Sequence, residues 1–216
     1  MNEARVISIA AGVGALPSQV MTHEVRWLRR GAVPRNLTEW FSQLPHVTET
    51  REDRYLVKPQ VTGLSLKIRG NESIDVKQRH GSLGVVRVAG RLTGPADAWL
   101  KTSIPLPAEP GWLAASADDA WIRAVKRRLR AFPLDTHSAS GTDSSCAVEL
   151  TEVEVLSELW WTVGFEVSGP LALDRLHRAA AVVFGDPAAP VYRFRAEEAT
   201  PYGEWIQELS ASRGAR

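Results

Sequence analysis

Cationic side chains recur at every second position in one short part of the chain, on both sides of a Gly-Asn pair. The stretch at 64–79 reads LSLKIRGNESIDVKQR, and its alternating charged positions are Lys67, Arg69, Asp75, Lys77 and Arg79. Residues two apart on a β-strand point to the same face. The pattern therefore predicts a hairpin with one apolar face and one face that carries four cations and a single carboxylate.

Segments elsewhere in the chain add charged side chains that alternate in the same way. A strand predicted at 20–28 places Glu24 and Arg26 on one face, and the segment 121–132 fits either a basic strand or a basic helix. The further cationic candidates are Arg87, Lys101, Lys126 and Arg128, and the further acidic ones are Glu152 and Glu154, or Glu149 in the alternative register. Strands that close around these faces would bring the charges together in one interior.

Such an interior suits a phosphorylated ligand. Buried charges are costly unless they are paired or bound to a ligand. Arginine and lysine bind phosphate oxygens, and carboxylates bind a hard divalent ion, Mg²⁺ or Mn²⁺, that bridges phosphates. Together they would neutralise a polyphosphate and activate water for in-line attack. The alternatives are a solvated sheet face for the hairpin cations and a basic surface helix for 121–132.

The elements that must position these residues are mostly strands. Alternation and β-branched content predict strands at 20–28, 51–58, 84–93, 98–104, 146–156 and 159–168 besides the hairpin, and helices are predicted at 34–41, 172–184 and 202–210. The fold class is therefore mainly β (α+β): an antiparallel, tunnel-like barrel of about eight strands with a few flanking helices. Residues 20–210 would form one domain, and residues 1–19 an N-terminal extension for which disorder is one interpretation.

The composition is that of an ordinary globular protein. Of its 216 residues 44% are hydrophobic. Its formal net charge is +1, so the chain does not have the strongly basic surface of a general nucleic-acid binder. A single cysteine, Cys146, excludes an internal disulfide and a cysteine-based metal cluster. No run approaches the roughly 20 apolar residues that span a bilayer. We expect a cytoplasmic protein with a small anionic ligand and with no membrane or nucleic-acid partner; its oligomeric state stays open.

The order of the charged segments resembles that of the CYTH, or triphosphate tunnel metalloenzyme, superfamily. The matching segments are THEVRW (22–27), EDRYLV (52–57), LKIR (66–69), IDVKQR (74–79), VKRRLR (125–130) and VELTEVEV (148–155). The resemblance covers about 20–184 and depends on order and spacing, because each motif is short. It implies an eight-stranded antiparallel tunnel and, in working members, metal-dependent hydrolysis or cyclisation of triphosphates.

Carried over position by position, the resemblance implies a role for each candidate residue. Glu24 would be catalytic and would hold Mg²⁺ or Mn²⁺ together with Glu152 and Glu154. The residues that would hold phosphate oxygens are Arg26, Lys67, Arg69, Lys77, Arg79, Arg87, Lys101, Lys126 and Arg128. The substrate would be a phosphorylated small molecule such as inorganic triphosphate, thiamine triphosphate or a nucleotide.

One departure from the family pattern keeps other functions open. The family's Glu-x-Glu-x-Lys reads Thr22-x-Glu24-x-Arg26 here, so one carboxylate is missing and arginine replaces lysine. A non-catalytic barrel that binds an anionic ligand is the first alternative. The others are a barrel reused for a different reaction, which fold alone does not exclude, and an interaction module that grips RNA or a protein through VKRRLR and exposed tryptophans.

Overall fold

The structure, a computed structural model, describes residues 16–57, 61–106, 120–133 and 146–214. Eight strands and three α-helices make up this part of the chain. The strands are β1 (Ser18–Arg30), β2 (His46–Leu56), β3 (Leu64–Arg69), β4 (Ser73–Val88), β5 (Leu92–Pro105), β6 (Trp121–Ala131), β7 (Cys146–Val155) and β8 (Glu158–Ser168). The helices are α1 (Arg35–Phe41), α2 (Ala172–Phe184) and α3 (Tyr202–Gly214), and a short 3-10 turn spans Ala196–Glu198.

The eight strands form one closed antiparallel barrel in the order β1-β5-β4-β3-β2-β6-β7-β8. Closure pairs β1 with both β5 and β8, so no strand of the barrel has a free edge. This confirms the predicted fold class. The first strand begins at Ser18, whereas residues 1–15 lie outside the described residues, so an extension there stays a prediction.

The hairpin predicted from the alternating cations is present as β3 and β4. Gly70 and Asn71 have φ angles of 51° and 62°, the positive values that the central residues of a tight type I′ turn require. The register places Lys67 opposite Asp75 and Ser65 opposite Lys77. The charged positions therefore share one face, as the sequence predicts.

The structure corrects the predicted boundaries of β4 and β5 and shows which of two predicted conformations the segment 121–132 adopts. The strands predicted at 74–79 and 84–93 are wrong as separate elements, because 73–88 is continuous as β4 and β5 begins at Leu92. Bulges between Arg79 and Gly81 and between Ser82 and Gly84 bend β4 without ending it. Gly81 and Gly84 permit this with φ angles of 147° and 136°. The ambiguous basic segment is a strand, β6.

The apolar faces of the strands point away from the barrel interior and are covered by helices. Trp27 of β1 meets Phe165 of β8 edge-on, with ring centroids 6.2 Å apart. Phe184 of α2 packs against the same Phe165 and against Phe194. Leu176, on the buried face of α2, is fully covered. The main hydrophobic core therefore lies outside the barrel, which leaves the interior to polar side chains.

Helix α3 covers one end of the barrel. Trp205 and Ile206 of α3 are buried in a second apolar cluster with Tyr55, Val57 and Val153, which line that end. Burying apolar surface is favourable at roughly 25 cal/mol per Å², so this cluster holds the helix in place. None of the helices in the described part of the chain is long and apolar enough to span a membrane.

The packing of α2 predicts a specific loss of stability. Leu176→Ala leaves a cavity between the helix and the barrel and should lower the free energy of unfolding by about 2–5 kcal/mol. Val182→Ala, on the exposed side of the same helix, should cost less than about 1 kcal/mol. Urea unfolding of both variants measures the difference, and equal losses would contradict this account of the core.

Candidate functional site

Charged side chains from all parts of the barrel meet in one interior cavity of about 550 Å³. Side chains alternate between the two faces of each strand, and the polar ones point inward. The inward residues are mostly even-numbered on β1, β6 and β8 and mostly odd-numbered on β2, β3, β4, β5 and β7. Pro201, Tyr202, Gly203 and Glu204 of the α3 region line the covered end.

The first group of charges surrounds Asp53 of β2, which is completely buried. Lys67 and Lys126 each place their Nζ 2.9 Å from Asp53 Oδ2, and Arg51 Nε lies 3.1 Å from Oδ1. Burial opposes ionisation, but the three cations outweigh it and hold the pKa of Asp53 far below its usual value. Burial in turn lowers the pKa of Lys126 to about 8, although Asp53 opposes that shift.

The second group surrounds Asp75 of β4. Arg69 Nε donates to Asp75 Oδ2 at 2.8 Å, and Ser103 Oγ donates to Oδ1 at 2.7 Å. Lys67 and Lys101 stand farther off, with their Nζ atoms 3.8 Å and 4.0 Å from Oδ2. Burial is outweighed by the Ser103 hydrogen bond and by Arg69, so the pKa of Asp75 falls to about 2.

The third group surrounds Glu149 of β7. Arg26 binds Glu149 Oε2 at 3.0 Å, Arg130 Nε lies 3.3 Å from Oε1, and Arg128 donates to the same oxygen. Arg26 also lies over the Tyr202 ring, 4.4 Å from its centroid. Its guanidinium fits against β8 only because residue 164 is glycine, where an added Cβ would come within 2.6 Å of Arg26 Cζ.

These three groups leave positive charge in excess. Eight cations share the three carboxylates Asp53, Asp75 and Glu149; Glu49, two-fifths exposed, is a further partner of two of them. The eight are Arg26, Arg51, Lys67, Arg69, Lys101, Lys126, Arg128 and Arg130. Burial and neighbouring cations together lower the pKa of Lys67 and Lys101. Nearby carboxylates, Asp53 for Lys67 and Asp75 and Glu166 for Lys101, oppose this shift and offset only part of it.

The adjoining part of the interior has the reverse balance. Lys77 Nζ binds Glu24 Oε2 at 2.7 Å and Glu166 Oε2 at 3.2 Å. Arg79 likewise has two carboxylate partners, Asp97 and Glu204, at 3.2 Å and 2.9 Å. The interior is therefore divided into a cation-rich region, formed by the eight residues above, and a carboxylate-rich region around Glu24 and Glu166.

The predicted metal ligands are not brought together. Glu152 pairs with exposed Arg127 on the outer face of the barrel, and Glu154 is exposed, so neither lies beside Glu24. The register of β7 instead turns Glu149 inward, the alternative that the sequence left open. Arginines hold Glu149 and Lys77 holds Glu24, and the described residues contain no group of three or more metal-ligating side chains. With these cations bound to them, the carboxylates present do not fit Mg²⁺ or Mn²⁺.

Most of the predicted phosphate-binding residues do lie inside the barrel. Arg26, Lys67, Arg69, Lys77, Lys101, Lys126 and Arg128 line the cavity. Arg79 lies next to it against Trp99 and α3, whereas Arg87 is exposed near the end of β4 and stands apart from the others.

Arg51, Asp53 and Tyr202 belong to this site and were not predicted from the sequence. Arg51 and Asp53 alternate within the predicted strand 51–58, so the same two-residue period could have found them. Tyr202 lies outside the strands, and nothing in its local sequence places it over Arg26 and Lys126.

The fold and the site define a closed eight-stranded barrel with an ion-paired interior. No family model matches the chain, and no curated protein matches it. Among solved structures, the chain is similar to the RNA triphosphatase Pct1 of S. pombe, determined in complex with the Spt5 CTD. The match has 10% identity and a TM-score of 0.40, and it covers 91% of this chain and 84% of that one.

The lowered carboxylate pKa values predict acid sensitivity. A carboxylate whose pKa is lower in the folded state stabilises the fold above its ordinary pKa near 4, and this stabilisation is lost as the pH falls toward 2. For Asp75, with a pKa of about 2, the contribution is on the order of 2 kcal/mol. Unfolding free energy should therefore decrease steeply between about pH 5 and 2. The exposed variant Glu39→Gln should follow the wild-type curve, and a flat curve down to pH 3 would contradict the account.

Proposed function

We propose that the protein binds a phosphorylated small molecule in the cation-rich region of the barrel interior. The observation that carries this proposal is the sharing of Asp53, Asp75 and Glu149 among eight cations around the barrel cavity. Uncompensated buried charge costs several kcal/mol per ion. An anionic ligand bound among these eight cations would add negative charge where three buried carboxylates now serve all of them.

The types and positions of these cations favour phosphate oxygens as the ligand atoms. Arginine offers a planar fork that binds two oxygens at once, and lysine offers a compact point charge. The region contains both: Arg69, Arg128 and Arg130 stand with Lys67 and Lys101 around the cavity. Lys101 is the most available of these lysines, because its nearest carboxylate oxygen is 4.0 Å away.

The size of the cavity favours an organic phosphate or a short polyphosphate over orthophosphate alone. A volume of about 550 Å³ lies within the roughly 300–1,000 Å³ of typical small-molecule sites. The resemblance to the triphosphate tunnel superfamily supports the same ligand class, since the matching segments LKIR and IDVKQR supply Lys67, Arg69 and Lys77. Tripolyphosphate, a nucleotide and another phosphate ester are the members of this class to compare.

Metal-dependent hydrolysis of a triphosphate is the second candidate. The observation that favours it is the direct pairing of Glu24 on β1 with Glu166 on β8, which brings two carboxylates side by side. Against it stands the ammonium of Lys77, which both carboxylates already bind. We therefore rank binding above hydrolysis and assign no step to Mg²⁺ or Mn²⁺.

A surface interaction through VKRRLR has less support than either. Because that segment is a strand, Lys126, Arg128 and Arg130 point into the barrel. Arg127 points outward and is paired with Glu152, so the segment offers RNA or a protein partner little free positive charge.

The binding proposal predicts a metal-independent effect of phosphate ligands. In EDTA, tripolyphosphate should raise the melting temperature of the wild-type protein, because a ligand that binds only the folded state stabilises it. Lys101→Met should weaken the binding measured by calorimetry about tenfold, as expected for the loss of one charged contact worth about 1.4 kcal/mol. Arg127→Met makes the same change in net charge on the outer face and should leave affinity within about twofold. Equal losses in both variants would contradict a site in the cavity.

The hydrolysis candidate has a separate test. Phosphate release from tripolyphosphate and from nucleoside triphosphates is measured with Mg²⁺, with Mn²⁺ and with EDTA, for the wild type and for Glu24→Gln. We expect binding without turnover. Metal-dependent release that is lost in Glu24→Gln would instead establish a hydrolase and place Glu24 in its catalytic site.

A further inference from the structure

The ammonium of Lys77 is held between two carboxylates from neighbouring strands. Glu24 on β1 and Glu166 on β8 are direct register partners, and Lys77 reaches them from β4 on the same interior. Its Nζ lies 2.7 Å from Glu24 Oε2 and 3.2 Å from Glu166 Oε2. A cation in this position separates two charges that would otherwise repel each other.

Electrostatics keep the ammonium in that place. Although burial opposes its charge, the two carboxylates outweigh burial and raise the pKa of Lys77 above its usual value. Lys77 in turn lowers the pKa of Glu166 to about 2. Lys101 is directly opposite Lys77 in the register of β4 and β5, and the two ammonium groups repel each other.

The surroundings of the pair supply no third carboxylate for a metal. Glu149, the nearest candidate by strand order, is bound by Arg26, Arg128 and Arg130. Position 22, two residues before Glu24 on the same inner face, is Thr22, whose buried Oγ1 has no hydrogen-bond partner among the described residues. Any divalent metal at this place would therefore depend on the one pair, since an ion such as Mg²⁺ is commonly held by one or two carboxylates together with waters.

We infer that Lys77 is a built-in cation that occupies the place where a divalent metal would otherwise bridge Glu24 and Glu166. The protein therefore handles its anion without a divalent metal, and Lys77 excludes Mn²⁺ and Mg²⁺ from the pair. The exclusion of metal is independent of the proposed function, because it concerns the carboxylate-rich region alone. Only its consequence for anion binding depends on that function.

The experiment measures Mn²⁺ binding in the absence of any phosphate compound. Free Mn²⁺ is followed by its electron paramagnetic resonance signal, and protein stability by thermal unfolding. The wild type should bind no Mn²⁺ at this site. Lys77→Met removes the ammonium with little change in side-chain length and should gain one Mn²⁺ site, with affinity at least about tenfold above any wild-type binding.

Three further variants separate exclusion of metal from a general change of charge. Lys77→Arg keeps a cation between the carboxylates and should bind no Mn²⁺. Lys101→Met removes a cation from the facing strand and should also gain none. Adding Glu24→Gln to Lys77→Met should abolish the gained site, because one of its two carboxylates is then neutral.

Two results would overturn the inference. One is stoichiometric Mn²⁺ binding by the wild type that Glu166→Gln abolishes, which needs no folded Lys77 variant to observe. The other is a folded Lys77→Met protein that binds no Mn²⁺. Neither result decides whether tripolyphosphate stabilises the wild type in EDTA, so failure of this inference and failure of the proposed function can be told apart.

Discussion

Compensation of buried charge inside the barrel is the constraint on which the rest of the structure depends. An ion pair in a protein interior is stable only if its geometry repays the loss of hydration. Asp53 satisfies this with three cations at 2.9–3.1 Å, and Glu149 does so with three arginines. Removing one partner from such a group leaves an uncompensated charge, which is costlier than never having had the pair. The interior network is therefore tightly interdependent.

A polar interior also determines where the hydrophobic core must lie. The strands alternate, so polar side chains on the inner face place apolar ones on the outer face. Trp27 and Phe165 would face water without α2 and the segment that carries Phe194. At the end where Tyr55 and Val153 line the interior, α3 supplies Trp205 as the cover. Helix α2 therefore covers the apolar outer face of the barrel, and α3 closes one end of it.

Segregation of the charges gives the interior its chemical character. If the same cations and carboxylates alternated evenly, each cation would be paired with a carboxylate and no part of the interior would attract an ion. In the observed division Lys67 and Lys101 share Asp75 with Arg69, while Glu24 and Glu166 share one ammonium. On the proposals made above, the first arrangement holds an anionic ligand and the second excludes a divalent metal. Both follow from which strands are neighbours.

The sequence by itself determined the local features of this protein, and the tertiary structure decided how they combine. The two-residue period is a property of one strand, so it predicted that Lys67 and Arg69 share a face and that Gly70 turns the hairpin. Which of Glu149 and Glu152 points inward could be decided only from the register of β7 against its neighbours, since a shift of one residue exchanges the two faces. The contact of Lys77 with Glu24 and Glu166 required closure of the barrel. Contacts between residues far apart in the chain depend on strand order and stagger, which only packing of the whole chain sets.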